Sequence, residues 1–280
     1  MVFRKLGLVR EDGDIMPLMG DSTIRIRKRP ERWSRTMNDI LCEQLSRDYC
    51  CSRDDVIDDN NHFTKYSPVD GRRRYQEKEE CYLKLVCVNG KLLFTGREDI
   101  IAWCQENYES YGSEWFMEAK NLRKLNDRLH QDGYQIGMAH PFYISEEKSD
   151  VDTSGYDIKW YRGKEIEQFR GDNRFCEAYT FCKTAPDMVG VAAIKDGEIL
   201  GMAGASMDSP MMWQIGINVE PNGRQKGIGK MLVALLKNEI LDKGRLPYYG
   251  TSMGYIAFQK VAIGSGFVPA WAELVTDRLE

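Results

Sequence analysis

The chain has 280 residues, of which 42% are hydrophobic and 29% charged, and its formal net charge is −4 at pH 7. This length predicts two domains, or one domain with a large extension. The small net charge excludes a strongly basic protein that coats nucleic acid. No apolar run approaches the roughly 18–20 residues of a membrane-spanning helix, and the first residues lack the apolar centre of a secretion signal. We therefore expect a soluble, cytoplasmic protein that binds neither nucleic acid nor a membrane.

The eight cysteines and three histidines form no recognisable metal or disulfide pattern. No Cys-x-x-Cys pair occurs, and Cys50 and Cys51 are adjacent, which does not suit an ordinary structural bridge. Without a secretion signal, reduced thiols that act as small core residues are expected. The histidines at 62, 130 and 140 are far apart in sequence. We expect them at the surface or in hydrogen bonds, and no metal site is predicted.

Residues 1–40 are predicted to be an N-terminal extension, and 41–144 a small α/β domain. The extension carries a basic cluster of Arg25, Arg27, Lys28, Arg29, Arg32 and Arg35. Acidic residues on either side favour a solvated face, and an arm that binds nucleic acid or a protein is the alternative. The predicted elements that follow are a helix within 33–47, an acidic loop at 54–61, strands at 81–88 and 91–95, and helices at 98–108 and 115–129. Asn89-Gly90 is a strong hairpin turn between the two strands.

The segment 145–155 is polar and acidic, and it is predicted to link this part to a second domain at 156–280. The predicted elements of the second domain are strands at 188–195, 198–206 and 212–219, a helix at 229–243, a strand at 246–251, a helix at 255–264 and a strand at 268–275. Asp196-Gly197 marks a hairpin turn. The helix at 229–243 has the clearest apolar stripe, and Gly244 is a natural stop after it.

The most informative stretch is INVEPNGRQKGIGK, where a strand leads through a turn into a basic, glycine-rich helix start. Helix N-termini leave backbone N–H groups unpaired and carry about half a positive charge. Gly227 and Gly229 leave room for an anion to reach these groups, and Arg224, Lys226 and Lys230 add positive charge. The pattern therefore predicts a site for a polyanion such as a pyrophosphate.

The glycine spacing excludes two other phosphate-binding motifs. A Walker loop needs a Ser or Thr hydroxyl for magnesium where this chain has Met231, and its glycines are differently spaced. The dinucleotide fingerprint needs a third glycine where this chain has Leu232. The pattern that remains is Arg-x-x-Gly-x-Gly, from Arg224 to Gly229.

This motif and its surroundings resemble the GCN5-related N-acetyltransferase (GNAT) superfamily over about residues 151–280. In that family the loop cradles the pyrophosphate of acetyl-CoA, and a strand, a helix and a Gly-Phe pair follow in the order seen here, ending at Gly266-Phe267. The resemblance implies an α/β (α+β) fold with a mixed central sheet of GNAT type, opened by a V-shaped splay. It also implies direct transfer of an acetyl group from acetyl-CoA, without a metal, to a primary amine of a small molecule or an amino terminus.

The resemblance further implies which residues hold acetyl-CoA and where this chain departs from the family. The implied cofactor-binding residues are Ile217, Val219, Arg224, Gln225, Lys226, Gly227, Ile228, Gly229 and Lys230. Many members carry a tyrosine that acts as general acid where this chain has Ala262, and an asparagine where it has Tyr255. Tyr255 is therefore a candidate general acid, with packing or solvent as the alternatives. Asp208 is the candidate general base, with turn formation as the alternative.

Two further questions stay open at this stage. Ala262 and the lack of an acid on strand 212–219 also fit a non-catalytic acyl-CoA-binding sensor or regulatory module. The first half resembles, by arrangement, two-part bacterial acetyltransferases in which a degenerate copy of the fold lacks the cofactor motif. Such a half would supply part of the acceptor pocket or a homodimer surface, or would serve packing alone.

Overall fold

A computed structural model describes residues 37–73 and 81–279 of the chain. The basic cluster at 25–35, with most of the predicted extension, lies outside this part. Asn38–Glu280 belong to one compact unit.

The unit has a mixed α+β architecture built on one large, open, mixed sheet. Its helices are α1 (Asp39–Asp48), α2 (Arg53–Ile57), α3 (Glu98–Tyr108), α4 (Ala119–His130), α5 (Ile228–Asp242) and α6 (Ile256–Gly264). Its strands are β1 (His62–Lys65), β2 (Leu83–Val88), β3 (Lys91–Gly96), β4 (Tyr134–Ile144), β5 (Asp157–Arg162), β6 (Asp187–Lys195), β7 (Glu198–Met207), β8 (Met212–Val219), β9 (Leu246–Gly250) and β10 (Val268–Arg278). Within the described ranges these strands form a single sheet in the order β1-β3-β2-β10-β4-β9-β8-β7-β6-β5.

The two predicted hairpin turns are confirmed. Asn89 and Gly90 have φ values of 48° and 83°, and Asp196 and Gly197 have 52° and 81°. Positive φ at both central residues gives the turn a twist that matches the flanking strands, and Asn, Asp and Gly adopt it most easily. These turns join β2 to β3 and β6 to β7.

The helix predicted at 229–243 is confirmed as α5, and its apolar stripe packs on the second half of the sheet. Ile228, Leu232, Leu236 and Ile240 are buried in one core with residues of β6 to β9. Burying each such side chain contributes about 1.5–3 kcal/mol relative to leaving it exposed. A separate core packs α3 and α4 against β2 and β3.

Three elements in the first half differ from the sequence prediction, and one of them is β1 (His62–Lys65), which was not predicted. Helix α2 overlaps the predicted acidic loop 54–61, where a reciprocal capping box between Ser52 and Asp55 starts one short helix. Strand β4 was not predicted, and its Gly137 and Pro141 are residues that are uncommon in the centre of a sheet. Pro141 is tolerated because β4 pairs with β9 over Phe142–Ile144, so residue 141 lies just beyond that pairing.

The two halves of the chain share the sheet. Strand β10 of the second half pairs with β2 and β4 of the first half, and β4 lies between β10 and β9. The segment 145–155 therefore connects a central strand, β4, to β5 at one edge of the sheet. The division into 1–40, 41–144, 145–155 and 156–280 stays a prediction, and a truncation that tests it is given below.

None of the helices in the described ranges combines the length and the apolar character needed to cross a membrane.

Candidate active site

The sheet opens between β8 and β9. These parallel neighbours pair from Met212↔Leu246 to Gln214↔Tyr248 and then separate. Beyond that point β8 continues to Val219 with β7 on its other side, and β9 continues to Gly250 beside β4. A gap therefore opens in the middle of the sheet, as the predicted V-shaped splay requires.

A cavity of about 400 Å³ occupies this gap. It is lined by β4 (Met138, His140, Phe142), segment 177–180 (Glu177, Ala178, Thr180), β6 and β7 (Asp187, Gly204, Ser206), β8 (Gln214, Ile215, Gly216), β9 and the loop after it (Tyr249, Gly250, Thr251, Ser252), and the start of α6 (Tyr255, Phe258). The first half of the chain thus supplies one wall through β4. The volume of the cavity is within the range of small-molecule binding sites.

The glycine-rich loop lies at the start of α5, directly after β8. Gly227 is the N-cap residue with φ of 79°, and no side chain of the described residues caps the helix. A Cβ on Gly227 would meet nothing within 4 Å, so the backbone faces open space there. The left-handed φ explains why glycine suits this position, and the open space leaves the first N–H groups of α5 accessible to an anion.

Three cationic side chains surround the helix start. Arg224, Lys226 and Lys230 are exposed, and none forms an ion pair with a carboxylate in the described parts of the chain. The Arg224 Nε donates to the carbonyl oxygen of Val219 at 3.3 Å, which holds the guanidinium at the end of β8. Positive charge at a helix N-terminus raises the electrostatic free energy unless an anion is bound, so the arrangement favours an anionic ligand.

The backbone of β8 presents N–H groups to the gap. The N–H of Glu220 donates to the carbonyl of Leu200 at 2.9 Å, toward β7. Because successive residues of a strand point their N–H groups to opposite sides, those of Val219 and Ile217 face away from β7, into the gap. The Ile217 side chain is buried in the core under α5. Both predicted cofactor residues on β8 therefore face the gap through their backbone, beyond the residues that line the cavity.

The two predicted catalytic residues lie in different surroundings. Tyr255 lines the cavity at the start of α6, is 48% exposed, and stacks on Phe258 with ring centroids 4.0 Å apart. Asp208 is 2% exposed and accepts hydrogen bonds from the Ser206 hydroxyl at 2.6 Å and from the Tyr248 hydroxyl. Ser206 lines the cavity, whereas Asp208 lies behind it. This geometry suits a carboxylate that positions Ser206 better than one that contacts an acceptor directly.

His140 and Tyr249 are cavity residues that the sequence analysis did not single out. His140 lies on β4, and burial lowers its pKa from the usual 6.5, so its imidazole is neutral and can accept a proton near pH 7. Tyr249 lies on β9, and its hydroxyl is buried with no hydrogen-bond partner among the described residues. The sequence carried no signal for His140, because β4 itself was not predicted.

A group of side chains spaced like metal ligands lies elsewhere, at Asp55, Asp58 and His62. The His62 ring contacts Asp58 at 2.9 Å, and the Lys91 ammonium donates to the same carboxylate at 2.9 Å. The lysine already supplies a positive charge to this carboxylate, and the group is explained as an ion-pair network that ties β3 to α2.

Residues 156–251 match the family model described as the acetyltransferase (GNAT) family. This part of the chain is a GNAT domain. The matched range contains β5 to β9, the glycine-rich loop and the gap between β8 and β9.

Solved structures of other GNAT proteins are similar to this chain at low identity. A putative acetyltransferase from Novosphingobium aromaticivorans is 14% identical, with 51% of this chain and 66% of that chain covered and a TM-score of 0.40. A GCN5-related N-acetyltransferase-like protein from Streptococcus suis is 14% identical, with 73% and 88% covered and a TM-score of 0.41. An aminoglycoside N-acetyltransferase in complex with CoA is 27% identical, with 40% and 91% covered and a TM-score of 0.31. This chain thus spans just under two thirds of the Novosphingobium protein's length, and a comparison with curated protein sequences gave no match.

Proposed function

We propose that this protein transfers the acetyl group of acetyl-CoA directly to a primary amine of a small molecule or to an amino terminus. The observation that carries the proposal is the uncapped, cation-bearing start of α5 beside the gap between β8 and β9, within the GNAT domain. A pyrophosphate fits the helix start, and an acyl thioester arm fits the gap. Acetyl-CoA combines these two groups in one molecule.

The loop from Arg224 to Lys230 supplies the phosphate contacts in this proposal. Backbone N–H groups from Gln225 to Gly229 reach the pyrophosphate, and Arg224, Lys226 and Lys230 balance its charge. The N–H of Val219 donates to the thioester carbonyl, where negative charge develops during transfer. Such a donor lowers the activation free energy because it is in place before the charge forms.

The acceptor enters from the other side of the gap, where β4 and segment 177–180 form the walls. An amine attacks only when it is neutral, so a group that accepts its proton must be near. His140 is suited to this, because its imidazole is neutral at pH 7 and it lines the cavity. Asp208 acts one step away, by holding Ser206.

Calorimetric titration with acetyl-CoA, with ADP as the control, tests this proposal. We expect micromolar binding of acetyl-CoA and much weaker binding of ADP, because ADP has no pantetheine arm for the gap. Release of the CoA thiol is then followed with a panel of amines. No heat and no thermal shift at millimolar acetyl-CoA would contradict the proposal.

A second candidate function is a non-catalytic acyl-CoA sensor. Ala262 favours it, because this residue is fully buried and stands where many family members carry their acidic tyrosine. Tight acetyl-CoA binding without thiol release, with any amine or with water, is the outcome that would support the sensor. Thiol release above the uncatalysed rate would reject it.

A further inference from the structure

We propose that a basic groove between α3 and α4, in the first half of the chain, binds a small molecule that carries two or more phosphate groups. The groove is separate from the gap between β8 and β9, because no residue lines both the groove and the cavity in that gap. This second site is additional to the proposed function and does not depend on it.

The groove is a concave space of about 490 Å³. Trp103 of α3 forms part of its lining, and the rest comes from α4 and the residue that follows it: Lys120, Asn121, Arg123, Lys124, Asp127, Arg128 and Gln131. The volume is within the range of small-molecule binding sites. Four of the lining side chains are cationic and one is anionic, so the lining carries a net positive charge.

The helical period places these cations side by side. Lys120, Lys124 and Arg128 follow one another at intervals of four residues, and like charges at this spacing destabilise a helix. Asp127 is three residues after Lys124 and four after Arg123, which is close enough on a helix for an ion pair with either. In the described ranges, however, Lys120, Arg123 and Lys124 form no ion pair with a carboxylate. Their mutual repulsion is therefore relieved when an anion from solution binds.

Two of the cations are held in place by the fold. The Lys124 ammonium lies 5.7 Å from the ring centroid of Trp103 and 5.4 Å from that of Tyr108. The Arg128 guanidinium donates to the carboxylate of Asp132, and the Arg128 side chain is 18% exposed. Side chains that are already ordered lose less conformational entropy when a ligand binds. The cationic wall of the groove is therefore preorganised.

The number and the type of the cations indicate phosphate. A phosphate group carries a charge of about −1.5 to −2 at pH 7, so two such groups balance the charge of the three cations that lack an ion pair. The Arg123 guanidinium can bind a phosphate through two parallel hydrogen bonds, and the ammonium groups of Lys120 and Lys124 act as point charges. A ligand with a single carboxylate would leave most of this positive charge uncompensated.

The charges around the groove limit the size of the ligand. Lys120 and Arg128 are about 12 Å apart along the helix axis. Beyond them lie exposed carboxylates, with Glu118 just before α4 and Glu106 and Glu109 at the end of α3. These carboxylates repel a polyanion that extends past the groove, and the whole chain has a net charge of −4. A compact phosphorylated molecule therefore fits better than a nucleic-acid strand or an anionic membrane.

Calorimetric titration with inorganic triphosphate tests the proposal. Lys124→Glu reverses one charge in the groove, and Lys120→Glu on the same face is the second variant. The matched control is Lys195→Glu, at an exposed lysine at the end of β6 that lines neither the groove nor the cavity. We expect the affinity for triphosphate to fall about 10-fold or more in each groove variant and to change less than about twofold in the control. Melting curves check that all three variants are folded.

The start of α5 is a second place where triphosphate fits, so the titrations are repeated in a Gly227→Glu background. The glutamate repels an anion at that helix start and leaves the groove intact. We expect triphosphate binding to persist in Gly227→Glu and to be lost when Lys124→Glu is added. Inorganic phosphate should bind more weakly than triphosphate, because it has one group where the groove holds two.

Four results would overturn the proposal. They are no heat with millimolar triphosphate in folded Gly227→Glu, the same affinity in Lys124→Glu as in Lys195→Glu, phosphate binding as tight as triphosphate binding, and tighter binding of a single-stranded oligonucleotide or of phosphatidylserine vesicles. None of these measurements uses acetyl-CoA. The proposed function is therefore tested separately, and either can fail without the other.

Discussion

Replacing Gly227 by glutamate separates the anion site from the conformational role of this glycine. Gly227 has φ of 79° and Gly197 has 81°, and a Cβ on either would meet nothing within 4 Å. Gly197 lies in the hairpin turn between β6 and β7, away from the cavity-lining residues. Gly197→Glu is therefore a matched control that introduces the same side chain with the same backbone strain.

The expected stability cost is of the same order for both variants. A non-glycine residue in the left-handed region costs about 1–2 kcal/mol. For a unit of this size each kcal/mol lowers the melting temperature by about 2–4 °C. At Gly227 the N-terminus of α5 offsets part of this cost, because a negative side chain there gains about 0.3–1 kcal/mol. Both proteins should therefore remain folded at room temperature.

The expected effect on binding differs between them. A glutamate within about 5 Å of a bound phosphate repels it by about 1–3 kcal/mol at the effective dielectric constants of a protein surface. This corresponds to a loss of affinity of roughly 5- to 150-fold. The assay is calorimetric titration of both variants with acetyl-CoA, with melting curves as the folding control. Equal affinities for acetyl-CoA in folded Gly227→Glu and Gly197→Glu would refute our placement of the phosphate site.

Three other predictions concern the interior and the division of the chain. Arg73→Met should cost about 3–5 kcal/mol in urea unfolding, because it removes the guanidinium that is ion-paired with the buried carboxylates of Asp48 and Glu273, and a cost below about 1 kcal/mol would contradict this. Burial lowers the pKa of His140, so the unfolded chain takes up a proton first as the pH falls below 6.5, and the free energy of unfolding should decline there. His140→Gln should remove that part of the decline, and an unchanged pH dependence in this variant would contradict the prediction. A fragment of residues 156–280 should not give a native circular dichroism spectrum, because it lacks β4, the strand between β9 and β10. A folded fragment that binds acetyl-CoA as the full chain does would instead support the predicted boundary at 145–155.

Much of the second half follows from local patterns. The Asn-Gly and Asp-Gly turns select their positive φ values from residue type alone, and the stripe in α5 repeats with the helical period. The glycine-rich loop is local too, because its N–H groups, its glycines and its cations lie within a few residues of one another. Such features depend on sequence neighbours, so the sequence predicts them well.

The first half was predicted less completely, because its strands depend on distant partners. Strand β4 contains Gly137 and Pro141, which a local pattern counts against a central strand. It exists because β10 and β9, more than a hundred residues later, pair with its two sides. The buried ion pairs of Arg73 also cannot be predicted from local patterns, since one partner, Glu273, is 200 residues away in sequence.

From the sequence alone came the prediction of an anion site, the family resemblance and the order of elements around the loop, because those depend on short-range spacing. Tertiary structure decided which side chains meet in the cavity. It placed Asp208 behind Ser206, and it brought His140 to the cavity wall through β4. Burial and the pairing of distant strands set these positions, and neither is encoded in any short stretch of residues.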